Sequence, residues 1–166
     1  MNKNQIITGL IEMNTGSANL IKATTKNGGG LLRVNEDNSF SKIMLRRSKN
    51  YRYDNVPDEE RILFELLSWF RFSDKTIKEF EYVIFAIFDE KNDENGTEDK
   101  IYPLIFKVSE IQSYLEQEGV AGENISIYIR KKINKPEFVI TRLGKELENE
   151  IDVTNHYENW GILSHF

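Results

Sequence analysis

The chain contains no cysteine, which excludes disulfides, thiol catalysis and thiolate metal sites and favours a reducing, cytoplasmic setting. Histidine occurs only as His156 and His165, too few for a His-rich zinc centre, so both read as structural or solvent-facing. No run approaches the roughly 18 apolar residues of a membrane span, and Met1–Gly30 lacks the basic start and apolar stretch of a secretory leader. The expectation is a cytoplasmic protein without membrane attachment. There is no internal repeat and no stretch biased enough to act as a linker, so residues 1–166 read as a single domain.

What is present is aromatic and charged. Ten Phe and seven Tyr supply core-filling volume despite a hydrophobic fraction of 39%, which places the chain among globular rather than disordered sequences. The net charge of -5 hides an asymmetry: residues 1–53 hold nine Lys or Arg against three acids, whereas the remainder holds thirteen against twenty-four. A basic first third points to a polyanionic ligand; mutual pairing of the two segments within the fold accounts for it equally well.

Periodicity predicts an α/β (α+β) fold with a mixed central sheet. Ile6, Ile7, Leu10 and Ile11 mark an N-terminal helix over Asn2–Met13. Gly28–Gly30 reads as a turn before strands Leu31–Val34 and Phe40–Tyr53. Pro57 and the acids at 58–60 open a helix whose apolar stripe runs through Leu63, Leu66, Leu67 and Phe70, reaching Phe72. Tyr82–Phe88 has the unbroken apolar character of a central strand. Ile101–Val108, interrupted by Pro103, belongs at an edge. Ser109 with Gln112 makes a capping box for a helix stopped by Gly119. Ile125–Ile129 and Phe138–Leu143 form a hairpin, the acids of Glu146–Asp152 read as a solvated helix face, and Asp152–Leu163 suggests a last helical turn.

One stretch suggests a ligand. Lys42–Tyr53, KIMLRRSKNYRY, carries Lys42, Arg46, Arg47, Lys49 and Arg52 with Tyr51 and Tyr53. Cations neutralise phosphates and exposed rings stack on unpaired bases; a solvated edge strand has the same composition. Gly28–Gly30 lacks the Lys-Ser/Thr of a phosphate-binding loop. Glu98-Asp99-Lys100 lies in a polar loop unsuited to holding a precise site.

The order helix, three strands, helix, strand over residues 2–108 resembles the restriction-endonuclease-like core of the PD-(D/E)XK nucleases, and Asn155–Trp160 looks like a closing segment of such enzymes. The resemblance implies a magnesium-dependent phosphodiesterase, with Asp37 as the metal-binding acid, Lys49 as the lysine that orients water and Glu12 as a helix-borne acid. The chain departs from the pattern at Arg47, which stands where the second acid belongs and would repel a cation there. Either Glu36 or Asp54 substitutes, or the scaffold binds nucleic acid, DNA before RNA, without cutting it. The competing expectation is a non-enzymatic interaction protein of the defence or anti-defence kind, such as a phage or mobile-element inhibitor that docks its acidic part on a nucleic-acid-binding complex.

Overall fold

The apolar run of residues 82–89 organises the molecule. In the computed structural model, which describes residues 3–15, 20–25, 28–34, 39–90 and 100–163, ten strands form two sheets with four helices around them. The strands are β1 (Leu20–Thr25), β2 (Gly28–Val34), β3 (Phe40–Lys49), β4 (Phe64–Leu67), β5 (Phe70–Phe72), β6 (Tyr82–Asp89), β7 (Lys100–Lys107), β8 (Ile125–Lys132), β9 (Phe138–Leu143) and β10 (Lys145–Asp152). The helices are α1 (Lys3–Thr15), α2 (Asp58–Leu63), α3 (Asp74–Ile77) and α4 (Val108–Glu118). The mixed α/β expectation holds.

The first sheet has the order β1-β2-β3-β6-β7, in which only β3 and β6 are parallel. Because successive side chains on a strand point to opposite faces, β6 feeds two cores. Val83, Phe85 and Ile87 face the second sheet, while Ile84, Ala86 and Phe88 face α1. Burying one such phenylalanine stabilises by about 2–3 kcal/mol, in keeping with the unbroken apolar run Val83–Phe88. Ile7 and Ile11 of α1, with Trp160 and Leu163 of the last 3₁₀ turn (Trp160–Leu163), close the outer face. Pro103 lies on β7, an edge strand as expected.

The second sheet runs β10-β9-β8-β4, with β5 also pairing β8. Ile125, Ile127 and Ile129 of β8 and Phe138, Ile140 and Leu143 of β9 pack against the inward face of β6 and β7. Val108, Ile111 and Leu115 of α4 join the same core. Gly119 ends α4 in the left-handed region at φ 65°, where only glycine is unstrained.

Several expectations are corrected. The helix predicted from Pro57 to Phe72 ends at Leu63; β4 and β5 follow, leaving Ile62 and Leu63 exposed. A short apolar run fits helix or strand by periodicity alone, and here pairing with β8 decides. Gly28–Gly30 lie within β2 rather than in a turn. A Cβ at Gly30 would stand 2.5 Å from Phe80 Cε1 and 3.0 Å from the Ile43 carbonyl, so the glycine is required for close packing. The predicted strand Phe40–Tyr53 stops at Lys49 and passes into a 3₁₀ turn, Tyr51–Tyr53. The cap of α4 sits two residues early, with Lys107 N–H donating to Glu110 Oε1 at 3.1 Å. Glu146–Asp152 is strand β10, not helix, because Leu147 and Ile151 reach the core.

Candidate nucleic-acid interface

The pleat of β3 divides the basic tract. Met44 faces the second sheet and Ile43 and Leu45 face α1, so Lys42 and Arg46 lie on one side while Arg47 and Lys49 lie on the other. Lys42 and Arg47 are exposed. Arg46 is half-buried; its Nε donates to the Arg71 carbonyl at 3.3 Å and Nη1 to the Leu45 carbonyl at 3.0 Å, and burial holds its pKa below the ordinary value. Lys49 pairs with Asp54 at 2.7 Å, and that hydrogen bond raises its pKa. Arg52 donates to the carbonyls of Phe64 and Arg61, binding the 3₁₀ turn to α2 and β4. Glu12 is exposed on α1. Asp37 and Glu36 lie outside the described residues, as does His165. Among the described residues no three acids or histidines are grouped as metal ligands.

The end of β3 is joined to the second sheet by two buried polar side chains. Ser48 Oγ accepts the Trp69 N–H at 2.9 Å. Asn50 uses its whole amide: Nδ2 donates to the Glu65 carbonyl and to Asp89 Oδ1, both at 3.1 Å, and Oδ1 accepts from Arg52 N–H at 3.1 Å and Leu67 N–H at 3.0 Å. These bonds fix the chain at Glu65, Leu67 and Trp69.

With Trp69 so held, a row of rings crosses the join. Tyr51 lies 6.1 Å from Trp69, and Trp69 meets Tyr128 edge-on at 6.4 Å between centroids. Such separations suit attractive aromatic geometry. Every ring carries a cation: Lys49 Nζ at 4.9 Å over Tyr51, Arg71 Cζ at 4.3 Å over Trp69, and Arg130 and Arg142 at 4.7 and 5.6 Å over Tyr128. The three rings are half-buried, and Arg71 is exposed. Arg130 is buried, with Nη1 on the Ser68 carbonyl at 2.6 Å and Nη2 3.7 Å from Glu60; burial lowers its pKa, partly offset by Glu60. Neither Arg71 nor Arg142 forms an ion pair among the described residues. The row thus alternates ring and cation, with Lys49 and Arg130 facing carboxylates and Arg71 and Arg142 outside any ion pair among the described residues.

Beside Arg71 opens a groove of about 550 Å³, lined by Arg46, Arg71, Ser73, Lys75, Thr76 and Glu123 among others. Of the residues singled out from sequence, Lys49 and Tyr51 enter the row and Arg46 the groove. Trp69, Arg71, Tyr128 and Arg142 were missed because they come from three separated segments, and the alternation Trp69-Phe70-Arg71-Phe72 was absorbed into the mistaken helix. Compared with known proteins, the chain matches no family model, no curated protein and no solved structure.

Proposed function

We propose that the protein engages nucleic acid through the row Tyr51, Trp69 and Tyr128, with unpaired bases stacking on the rings or on the guanidinium planes above them, and phosphates meeting Lys49, Arg71 and Arg142. The observation that carries this reading is the alternation of ring and cation across the join between the sheets, since base stacking and phosphate neutralisation need both groups within one nucleotide's reach. Arg71 and Arg142 add charge that no ion pair among the described residues takes up, with Glu146 standing opposite Arg142 in the β9–β10 register.

Fluorescence anisotropy with an oligothymidylate across a salt series tests the proposal. Trp69→Ala is expected to weaken binding by about 1–3 kcal/mol. Arg142→Gln is expected to lower the salt slope by about one. Salt-independent binding, or affinity untouched by either variant, removes the row from the interface. Phosphodiester cleavage with magnesium would be an added activity of Asp37, Glu12 and Lys49; plasmid nicking that Asp37→Ala abolishes is its test.

A second reading is favoured by β10. Glu146 and Glu148 stand exposed there without an ion pair among the described residues, as a surface that docks on a basic protein groove would require. Failure of every oligonucleotide to bind at low salt, with a complex to a DNA-binding protein that Glu146→Gln and Glu148→Gln disrupt, would put this reading first.

A further inference from the structure

The groove beside the ring row gathers positive charge from two layers of the fold. Arg46 arrives from β3, Arg71 from β5 and Lys75 from α3. The Arg46 guanidinium is fixed at the wall by the carbonyls of Arg71 and Leu45, so its orientation is set before a ligand arrives and its binding costs little side-chain entropy. The remaining wall mixes the Phe72 ring with the polar Ser73, Thr76 and Asn124, the Ser73 hydroxyl donating to Thr76 Oγ1 at 2.7 Å. Glu123 is the negative charge among the described lining residues. Asp74 lies nearby but accepts the Gly122 N–H at 3.2 Å and lines a different groove.

Among the described lining residues three cations stand with one carboxylate, a balance that suits a phosphomonoester, which carries about -1.5 to -2 at neutral pH. An internal phosphodiester carries only one charge. Arg71 belongs to both places, since its guanidinium covers Trp69 at 4.3 Å and its side chain lines the groove. An anion held there sits beside a stacking platform, as a terminal phosphate lies beside its own base.

We propose that this groove receives the terminal phosphate of a nucleic-acid strand, with Arg46, Arg71 and Lys75 as its cationic walls and the adjoining nucleotide stacked at Trp69. The proposal rests on the nucleic-acid reading above and narrows it to strand ends. It identifies the ligand as a phosphorylated end, 5′ or 3′, rather than a continuous strand.

The test compares three oligothymidylates of one length by anisotropy with the full chain: 5′-phosphorylated, 3′-phosphorylated, and hydroxyl at both ends. One phosphorylated strand is expected to bind about tenfold tighter than the hydroxyl strand, the scale of a charge-assisted bidentate contact. Lys75→Gln, an exposed position with little risk to folding, is expected to cut that preference below about twofold. Inorganic phosphate, followed by amide NMR shifts, is expected to perturb Thr76 and Asn124. Equal affinity for all three strands overturns the end-binding proposal alone. Absence of binding by every strand overturns the nucleic-acid reading with it. A phosphoserine peptide bound as tightly as the phosphorylated strand, or phosphate shifts that avoid Thr76 and Asn124, would also overturn it.

Discussion

Tyr157 shows how one side chain ties stability to pH. Its ring stacks on Phe138 at 4.9 Å and lies 5.9 Å from Tyr102, and burial, reinforced by Glu158, pushes its phenol up to about 12. An unfolded tyrosine ionises near 10. The contribution is therefore complete below about pH 10 and lost as pH rises through the folded value. Alkaline unfolding followed by circular dichroism is expected to show a fall in stability across that window which Tyr157→Phe flattens; identical curves for the two proteins would exclude this source. None of this was legible in the sequence, where Tyr157 lay in the expected last helical turn, Asp152–Leu163. The same holds for His156, whose Nδ1 lies 3.1 Å from the Ile105 carbonyl and whose Nε2 lies 3.3 Å from Glu110. The sequence left it structural or solvent-facing, and its partners come from β7 and α4. At the candidate site the sequence disclosed the tract's cations and Tyr51, because they are contiguous, and hid Trp69, Arg71, Tyr128 and Arg142, because only tertiary pairing brings them together.

Between elements, Asn50 is the sharpest test of how the sheets are joined. It is buried and makes four side-chain hydrogen bonds to β4, β6 and the 3₁₀ turn. Asn50→Ala leaves the Glu65 carbonyl, the Leu67 N–H and the Asp89 carboxylate without that partner. The expected cost is about 2–4 kcal/mol, measured by urea denaturation. A loss below about 0.5 kcal/mol would mean that water replaces the amide at no penalty. Legibility varied by element for physical reasons. Strand β6 was clear because its run is short and rich in β-branched and aromatic residues, and β8 because its isoleucines alternate with polar residues. Strands β4, β5 and β10 were not: each is short or acid-rich, and each is fixed by its neighbour rather than by its own composition. The glycines at 28–30 misled because glycine commonly marks a turn, whereas Gly30 here yields space to the Phe80 ring.

For the molecule as a whole, the two sheets share one core, in which Phe85 of β6 stands 4.9 Å from Phe70 of β5 and 5.8 Å from Phe106 of β7. They are expected to unfold together. The two tryptophans report on different layers, Trp69 at the second sheet and Trp160 beneath α1. In Trp160→Phe and in Trp69→Phe, the remaining tryptophan's fluorescence transition is expected to coincide with loss of far-ultraviolet dichroism. Separate midpoints within either variant would show that the layers are independent. The mixed fold class was legible because helical and strand periods alternate along the chain, and the partition into two sheets was not, since no local pattern records which sheet a strand joins.

That partition is interleaved. The backbone lays down β1–β3 for the first sheet, crosses to place β4 and β5 in the second, returns for β6 and β7, and crosses again for β8–β10. Ser68 donates to the Ile129 carbonyl, 61 residues further along. During synthesis, β4 and β5 leave the ribosome long before β8 exists to receive them. A nick between β5 and β6 would leave each half with an unfinished portion of both sheets, and every missing neighbour would reside on the other half. The two pieces would then be matched reagents for reassembly, each a template for the other.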